Sequence, residues 1–243
     1  MKAKLIFILL IYTVASYGIT PTKLVEAPTA GILRKQTAKV NSMLFSNGGM
    51  LLGLDVGIFS RMSIGFSYGG MNIIGEEKIH WNKRVELSLN VRLLEEDYSR
   101  PAILIGYQTQ GFGQYIESLD RYEIKSKGFF GVLSKNYALY GNLGFHVGAN
   151  YSLEKKDDED INFFVGIDKD ITKNFYFSLE YDLGINDDEK EALGKGRGFL
   201  NLKAAYLILD SIEIEFLLMD LLENYQLRTS PVRSLRVNYF FQY

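Results

Sequence analysis

The chain of 243 residues has no cysteine, four prolines, two histidines and one tryptophan. Without cysteine there is no disulfide, no thiol nucleophile and no thiol to carry an acyl anchor. Two histidines leave little material for a histidine-rich metal centre. An excess of one charge is missing too. The 27 basic and 29 acidic residues give −2, and loss of Lys2 and Lys4 with a leader would give −4. Nothing in that balance points to a nucleic acid as partner. No apolar run reaches the roughly 18–20 residues of a spanning helix, so a membrane protein with this sequence must be a closed barrel. What the chain does have is 16 tyrosines, 16 phenylalanines and 23 glycines, a composition that favours strands over helices.

Residues 1–18 carry two lysines, an apolar run from Leu5 to Ala15 and small residues around Ser16 and Gly18, the pattern of a cleaved secretory signal peptide. Residues 19–37 hold two of the four prolines and no sustained period. They read as a periplasmic lead-in, outside the barrel wall or tucked into it. From residue 38 to 243 strand signals recur without a second domain.

The alternation of apolar and polar residues predicts strands over about 38–46, 49–59, 62–71, 83–94, 101–112, 126–135, 139–153, 161–169, 174–184, 198–209, 211–221 and 233–243. In the fourth, Val85, Leu87, Leu89, Val91 and Leu93 share one face while Arg84, Glu86, Ser88, Asn90 and Arg92 share the other. A soluble sandwich also alternates with period two, so connection lengths decide. Links at 60–61, 95–100, 136–138, 170–173 and 210 are short. Those on the opposite side are 47–48, 72–82, 113–125, 154–160, 185–197 and 222–232, and all but the first are long. Short turns at one end and long loops at the other, over an even strand number, mark an outer-membrane β-barrel with both ends in the periplasm. The fold class is therefore all-β, an antiparallel transmembrane barrel of about twelve strands, in the bacterial outer membrane. The last strand ends in aromatic residues, and Tyr239, Phe241 and Tyr243 read as the insertion signal taken up by the barrel-assembly machinery, with outer-membrane lipids around the wall.

With the apolar faces toward lipid, the lumen-lining set is Asp55, Arg84, Glu86, Arg92, His146, Tyr176, Glu180, Asp182, Lys203, Glu213, Glu215 and Arg236. Charged groups facing hydrocarbon cost about 2–4 kcal/mol at mid-membrane, which fixes the inward side. Tyr176, Phe199 and Phe240 are inward aromatics. The set serves a hydrated passage or a lumen sealed by its own ion pairs. For nucleophilic catalysis, His146 needs a serine within reach. On its own strand it is flanked by Gly144 and Gly148, with Ser152, Asn142 and Asn150 further along, so it reads as structural. His80, beside Trp81, reads as interfacial. The acidic loops 154–160 and 186–197 lack the ligand spacing of a calcium loop, and the GKGRG stretch, 194–198, lacks the P-loop pattern. No cofactor is implied, and the chain reads as non-enzymatic.

Four stretches, PAILIGYQTQGFGQYI (101–116), RYEIKSKGFFGVLSKN (121–136), GNLGFHVGANYSLE (141–154) and INFFVGIDKDI (161–171), together resemble the YjbH-type outer-membrane proteins associated with exopolysaccharide export, whose fuller members are longer. The resemblance implies a barrel serving transport or export of a polysaccharide across the outer membrane. A general small-solute pore or a sealed structural barrel is the alternative, and an outer-membrane hydrolase the third.

Overall fold

The computed structural model describes residues 21–228 and 230–243, so the expected signal peptide at 1–18 lies outside the described residues. Among the described residues, fifteen strands run in chain order. They are β1 (Thr37–Phe45), β2 (Gly49–Phe59), β3 (Met62–Met71), β4 (His80–Trp81), β5 (Glu86–Leu94), β6 (Ala102–Gln108), β7 (Phe112–Ile116) and β8 (Arg121–Ile124). The remainder are β9 (Gly128–Ala138), β10 (Asn142–Tyr151), β11 (Asn162–Asp170), β12 (Phe175–Asp182), β13 (Phe199–Ile208), β14 (Ile212–Met219) and β15 (Val232–Gln242). One sheet takes thirteen of them in the order β2-β1-β15-β14-β13-β12-β11-β10-β9-β6-β5-β3-β4, and a further β2–β3 pairing closes it on itself. Leaving out the two-residue β4, twelve antiparallel strands form the wall. The seam joins the two ends of the barrel, with Thr37 opposite Gln242 and Leu44 opposite Leu235.

Every wall strand keeps the period of two that its sequence carries. Along β15, Ser234, Arg236 and Asn238 are buried while Leu235, Val237 and Tyr239 are exposed. Exposed apolar side chains cover the outer surface throughout, among them Leu54, Phe66, Leu89, Phe145, Val165 and Leu179. Only lipid can cover such a surface at low cost. Aromatic pairs sit toward the strand ends, with Trp81 stacked on Tyr68 at 5.7 Å and Tyr239 beside Phe241 at 5.8 Å, as an interfacial girdle requires.

Val147 stands in the middle of β10 with Val165 opposite it on β11, both facing outward. Val147→Arg should cost about 2–4 kcal/mol in the bilayer. The expected result is loss of most of the fast-migrating form when unboiled membrane extract is run on a detergent gel, whereas Val147→Leu keeps it. Equal recovery of the two variants would mean that this face does not meet lipid.

Tight turns fix the register. The β1–β2 link carries Asn47 and Gly48, both at positive φ (59° and 61°), where an Asn-Gly pair is favoured. The other end of the barrel has short links throughout, and the long loops share the end where β4 and the β7–β8 hairpin lie. Three boundaries differ from the sequence reading by three residues or more. Strand 83–94 starts at Glu86, and strand 101–112 stops at Gln108, since Phe112 already belongs to β7. The β9–β10 turn lies at 139–141, with Asn142 opposite Ala138, and not at 136–138.

From Pro21 onward, the segment ahead of β1 lies inside the lumen. It forms a narrow hairpin in which Lys23 bridges Pro28, Leu24 N donates to Ala27 O (2.9 Å) and Thr29 N donates to Thr22 O (3.1 Å). Its apolar side chains build two inner clusters. Leu24, Ala27 and Ala30 pack with Ala102, Leu104, Phe130, Val132 and Phe164, and Val25 packs with Met43, Phe112, Leu217, Met219 and Val232. Gly166 on β11 permits this approach, because a Cβ there would collide with the Leu24 side chain.

Candidate functional site: the lumen and its cap

The hairpin tip is bound through its main chain. Val25, Glu26 and Ala27 all donate their backbone N–H to Oε2 of Glu180, at 2.9, 2.8 and 2.7 Å. Asn201 Nδ2 holds the other oxygen, Oε1, at 2.8 Å. Around the tip, Arg236 donates to Val25 O (3.2 Å) and Glu215 (2.9 Å) and pairs with Glu26. Lys203 donates to Lys23 O at 2.9 Å and lies 3.4 Å from Glu215. Further along, Arg92 Nε donates to Ala30 O and Ala30 N donates to Ser134 Oγ, both at 2.8 Å. Five wall strands, β5, β9, β12, β13 and β15, thus grip the same short hairpin.

Beside the hairpin, a cavity of about 890 Å³ remains. It is lined on the wall by Lys39, Asp55, Asn90, Glu213 and Asn238, and reaches Ser60, Lys173 and Asp210 in the short turns. Lys39 pairs with Asp55 at 2.9 Å. Tyr176 donates its hydroxyl to Glu213 at 2.5 Å and carries the Lys203 ammonium 5.1 Å from its ring centre, so both the edge and a face of this aromatic are engaged. Phe240 borders the cavity, while Phe199 is buried. The opposite end of the cavity stops at Gln108, Gln110, Gly111 and Phe112, beneath the long loops.

Those loops are tied across the mouth by buried charge. Arg121 on β8 pairs with Asp157 and with Asp187 (2.6 Å), and donates to the carbonyls of Tyr122 and Glu123, each at 2.9 Å. Asp187 ends a short 3-10 turn that Gly184 opens in left-handed geometry (φ 64°). Lys125 pairs with Asp157 at 2.9 Å, and Arg228 with Glu123 at 2.5 Å. Glu154 Oε2 accepts the backbone N–H of Tyr122 (3.1 Å) and Ser126 (3.2 Å). Burial pushes the Glu154 carboxyl up to about 7, against those two N–H donors, which favour its charged form. Burial also raises Asp187, and the Arg121 guanidinium opposes the shift.

The lumen-lining set divides into groups. Arg92, Glu180, Lys203, Glu215 and Arg236 converge on the hairpin. Asp55, Tyr176 and Glu213 line the cavity. Asp182 pairs with Lys127, and Glu86 accepts the Tyr122 hydroxyl at 3.0 Å, both under the cap. Arg84 is misplaced by the sequence reading, since it precedes the true start of β5, and its side chain is half exposed while reaching Glu86 at 3.2 Å. Tyr239, Phe241 and Tyr243 point outward.

His146 has the partners that its own strand lacks. Ser134 Oγ lies 2.7 Å from His146 Nδ1, and Asp168 Oδ1 lies 3.3 Å from Nε2. Ser134 stands directly opposite His146 in the β9–β10 register. A turn read three residues too early hides that pairing from the sequence. All three are buried, and the serine oxygen already accepts the Ala30 N–H. Ser134 holds the hairpin, with His146 and Asp168 lined up behind it. For a cation, carboxylate oxygens of Asp158, Asp160 and Glu189 come within 4.8 Å of one another, but Asp158 spends its oxygens on the N–H groups of Asp160 (3.0 Å), Asp188 (3.1 Å) and Glu189 (3.4 Å).

No family model matches this chain, and no curated protein matches it in sequence. Among solved structures it is similar to the KdgM porin, with a TM-score of 0.52 and 9% identity over 85% of this chain and 99% of that one. The NanC porin follows at a TM-score of 0.47 and 12% identity, over 85% of this chain and 99% of that one. The outer membrane protein Omp33 of Acinetobacter baumannii has a TM-score of 0.45 and 8% identity, over 87% and 99%. The likeness to the KdgM porin shows the fold alone: a closed, antiparallel, twelve-strand β-barrel.

Proposed function

We propose that this protein is an outer-membrane channel for small hydrophilic solutes, delivered by a cleaved signal peptide over residues 1–18 and inserted through the strand ending in Tyr239, Phe241 and Tyr243. The observation that carries this reading is the cavity of about 890 Å³ inside a polar lumen, open among the short turns and running beside the hairpin as far as Phe112. A sealed structural barrel would fill that space with side chains, as small barrels do. At mid-barrel the cavity wall carries charges already engaged, Lys39 with Asp55, Glu215 with Lys203 and Arg236, and Glu213 with the Tyr176 hydroxyl, which suits passage of solutes over tight retention of one ion. Catalysis by Ser134, His146 and Asp168 is not part of this reading: with the hairpin seated, the serine oxygen accepts the Ala30 N–H. Polysaccharide export, implied by the YjbH-type resemblance, is a finer reading that calls for a lumen cleared of the hairpin.

Purified barrel in a planar bilayer should give discrete conductance steps, brief and smaller than those of wide porins, because the hairpin occupies part of the bore and the cavity ends beneath loops tied across its mouth, so ions pass only when those loops part. Folded protein, certified by its heat-modifiable migration, that gives no steps at any applied voltage would leave the sealed barrel as the function.

A further inference from the structure

The hairpin is seated differently from an ordinary inner core. Its polar anchors on the wall engage main-chain atoms: three N–H groups at the tip go to Glu180, the carbonyls of Lys23 and Val25 go to Lys203 and Arg236, and both amide atoms of Ala30 go to Ser134 and Arg92. The Glu26–Arg236 pair is the side-chain contact added to these. Such a seat recognises an extended strand-turn-strand and largely ignores its side chains. The apolar side chains that the hairpin buries are few and none is aromatic: Leu24, Val25, Ala27, Ala30 and Leu33.

Topology makes the hairpin removable. Its second arm leaves past β2, where Gly57 lies against Arg34 O near the short β2–β3 turn, before the chain enters β1 at Thr37. Its first arm is tied to that second arm, Thr29 Oγ1 donating to Pro21 O. The described chain therefore enters and leaves the seat on the same side of the tip, and none of the described residues threads through the wall. The cavity flanks the hairpin along β14, β15, β1, β2, β3 and β5 and opens among the short turns, at Ser60, Lys173 and Asp210, so space runs beside the seat to that end.

We propose that hairpin 21–33 is a retractable gate, latched at its tip by the Glu180 carboxylate and withdrawn toward the short-turn end of the barrel to widen the passage. The proposal rests on the channel reading and adds the moving part. A carboxylate that collects three N–H donors is a strong single anchor, because hydrogen bonds to a charged acceptor exceed neutral ones. Releasing it frees the tip, and the Ala30 contacts with Arg92 and Ser134 follow as the second arm slides.

The absence of cysteine gives a clean background for the test. Ala27→Cys places a single thiol at the buried tip. The probe is a polyethylene-glycol maleimide too bulky for the lumen, applied to folded protein in detergent, with Tyr140→Cys in an exposed short turn as the accessible control. Ala27→Cys should react far more slowly than Tyr140→Cys. Adding Glu180→Ala should raise its rate at least tenfold, and adding Glu26→Ala should raise it severalfold by removing the Arg236 pair. If Glu180→Ala loses its heat-modifiable band, Glu26→Ala decides, since it leaves the wall unchanged. An unmoved rate in a folded latch variant overturns the gate. Faster labelling without any bilayer conductance keeps the moving hairpin and overturns the channel. Conductance steps with no change in labelling keep the channel and overturn the gate.

Discussion

Arg121→Ala leaves the barrel wall closed and loosens the cap over its mouth. Arg121 is fully buried and satisfies two carboxylates and two carbonyls from three loops. Removing one partner of a buried charge network costs on the order of 3–5 kcal/mol, because the remaining charges are stranded. Asp157 keeps Lys125 at 2.9 Å. Asp187 keeps the backbone N–H of Leu193 (3.1 Å) and loses its counter-ion, so the strain falls on the loop 183–198. The wall contributes no atom to these contacts, and its ladder of paired strands persists. Limited proteolysis of folded protein should cut within 109–127 or 183–198 in the variant and spare the native cap. Adding Asp187→Asn should restore much of the resistance, since the stranded charge is then gone. Identical cleavage of native and Arg121→Ala protein would show that the cap does not depend on this arginine.

The second large effect is on pH. A Glu154 carboxyl held near 7 by burial, against its ordinary 4.5, binds its proton more tightly in the seated loop than in a released one. The seating is then fully stabilised below about 4.5 and weakens as pH rises through 7. That displacement is worth about 3 kcal/mol at 1.36 kcal/mol per unit. The groups around it are Tyr122, Ser126 and, at longer range, the Arg121 charge. Loop 152–161 should therefore resist protease better at pH 5 than at pH 8. Glu154→Gln keeps an acceptor oxygen for Tyr122 and Ser126 and should remove most of the difference between those pH values. The raised Asp187 acts in the same direction and leaves a residual slope. A native protein whose cleavage rate does not change between pH 5 and 8 would rule out this control of the cap.

Much of the wall was legible because one rule sufficed. Leu87, Leu89 and Val91 had to face one way and Ser88, Asn90 and Arg92 the other, whatever the partner strands were. The charged lumen followed from the same alternation, and Glu180, Lys203, Glu215 and Arg236 needed nothing more. What stayed hidden depends on register or on burial without period. Ser134 and His146 meet only because the turn falls at 139–141, and a shift of three residues conceals the pair. The hairpin at 21–33 has prolines and small residues in place of an alternating face, and its stability comes from wall groups 62 to 211 residues away. Arg84 was assigned to the lumen by extending a valid pattern two residues beyond the strand. The β7–β8 hairpin was hidden because Phe112 appeared to continue β6, whereas the chain leaves the wall after Gln108.

The seat of the inner hairpin also sets an order of events during assembly. Its anchors lie 62, 104, 153 to 155, 180 and 211 residues away along the chain. Contacts at such separation bear the full entropy of loop closure and are late in folding. The most distant, Arg236, sits on the strand that also closes the seam against β1. The residues nearest the start of the described chain thus find their complete binding site when the last strand arrives. An occupied lumen is a record that the cylinder has closed in the right register, and a barrel that has slipped or skipped a strand has no matching place for its own beginning.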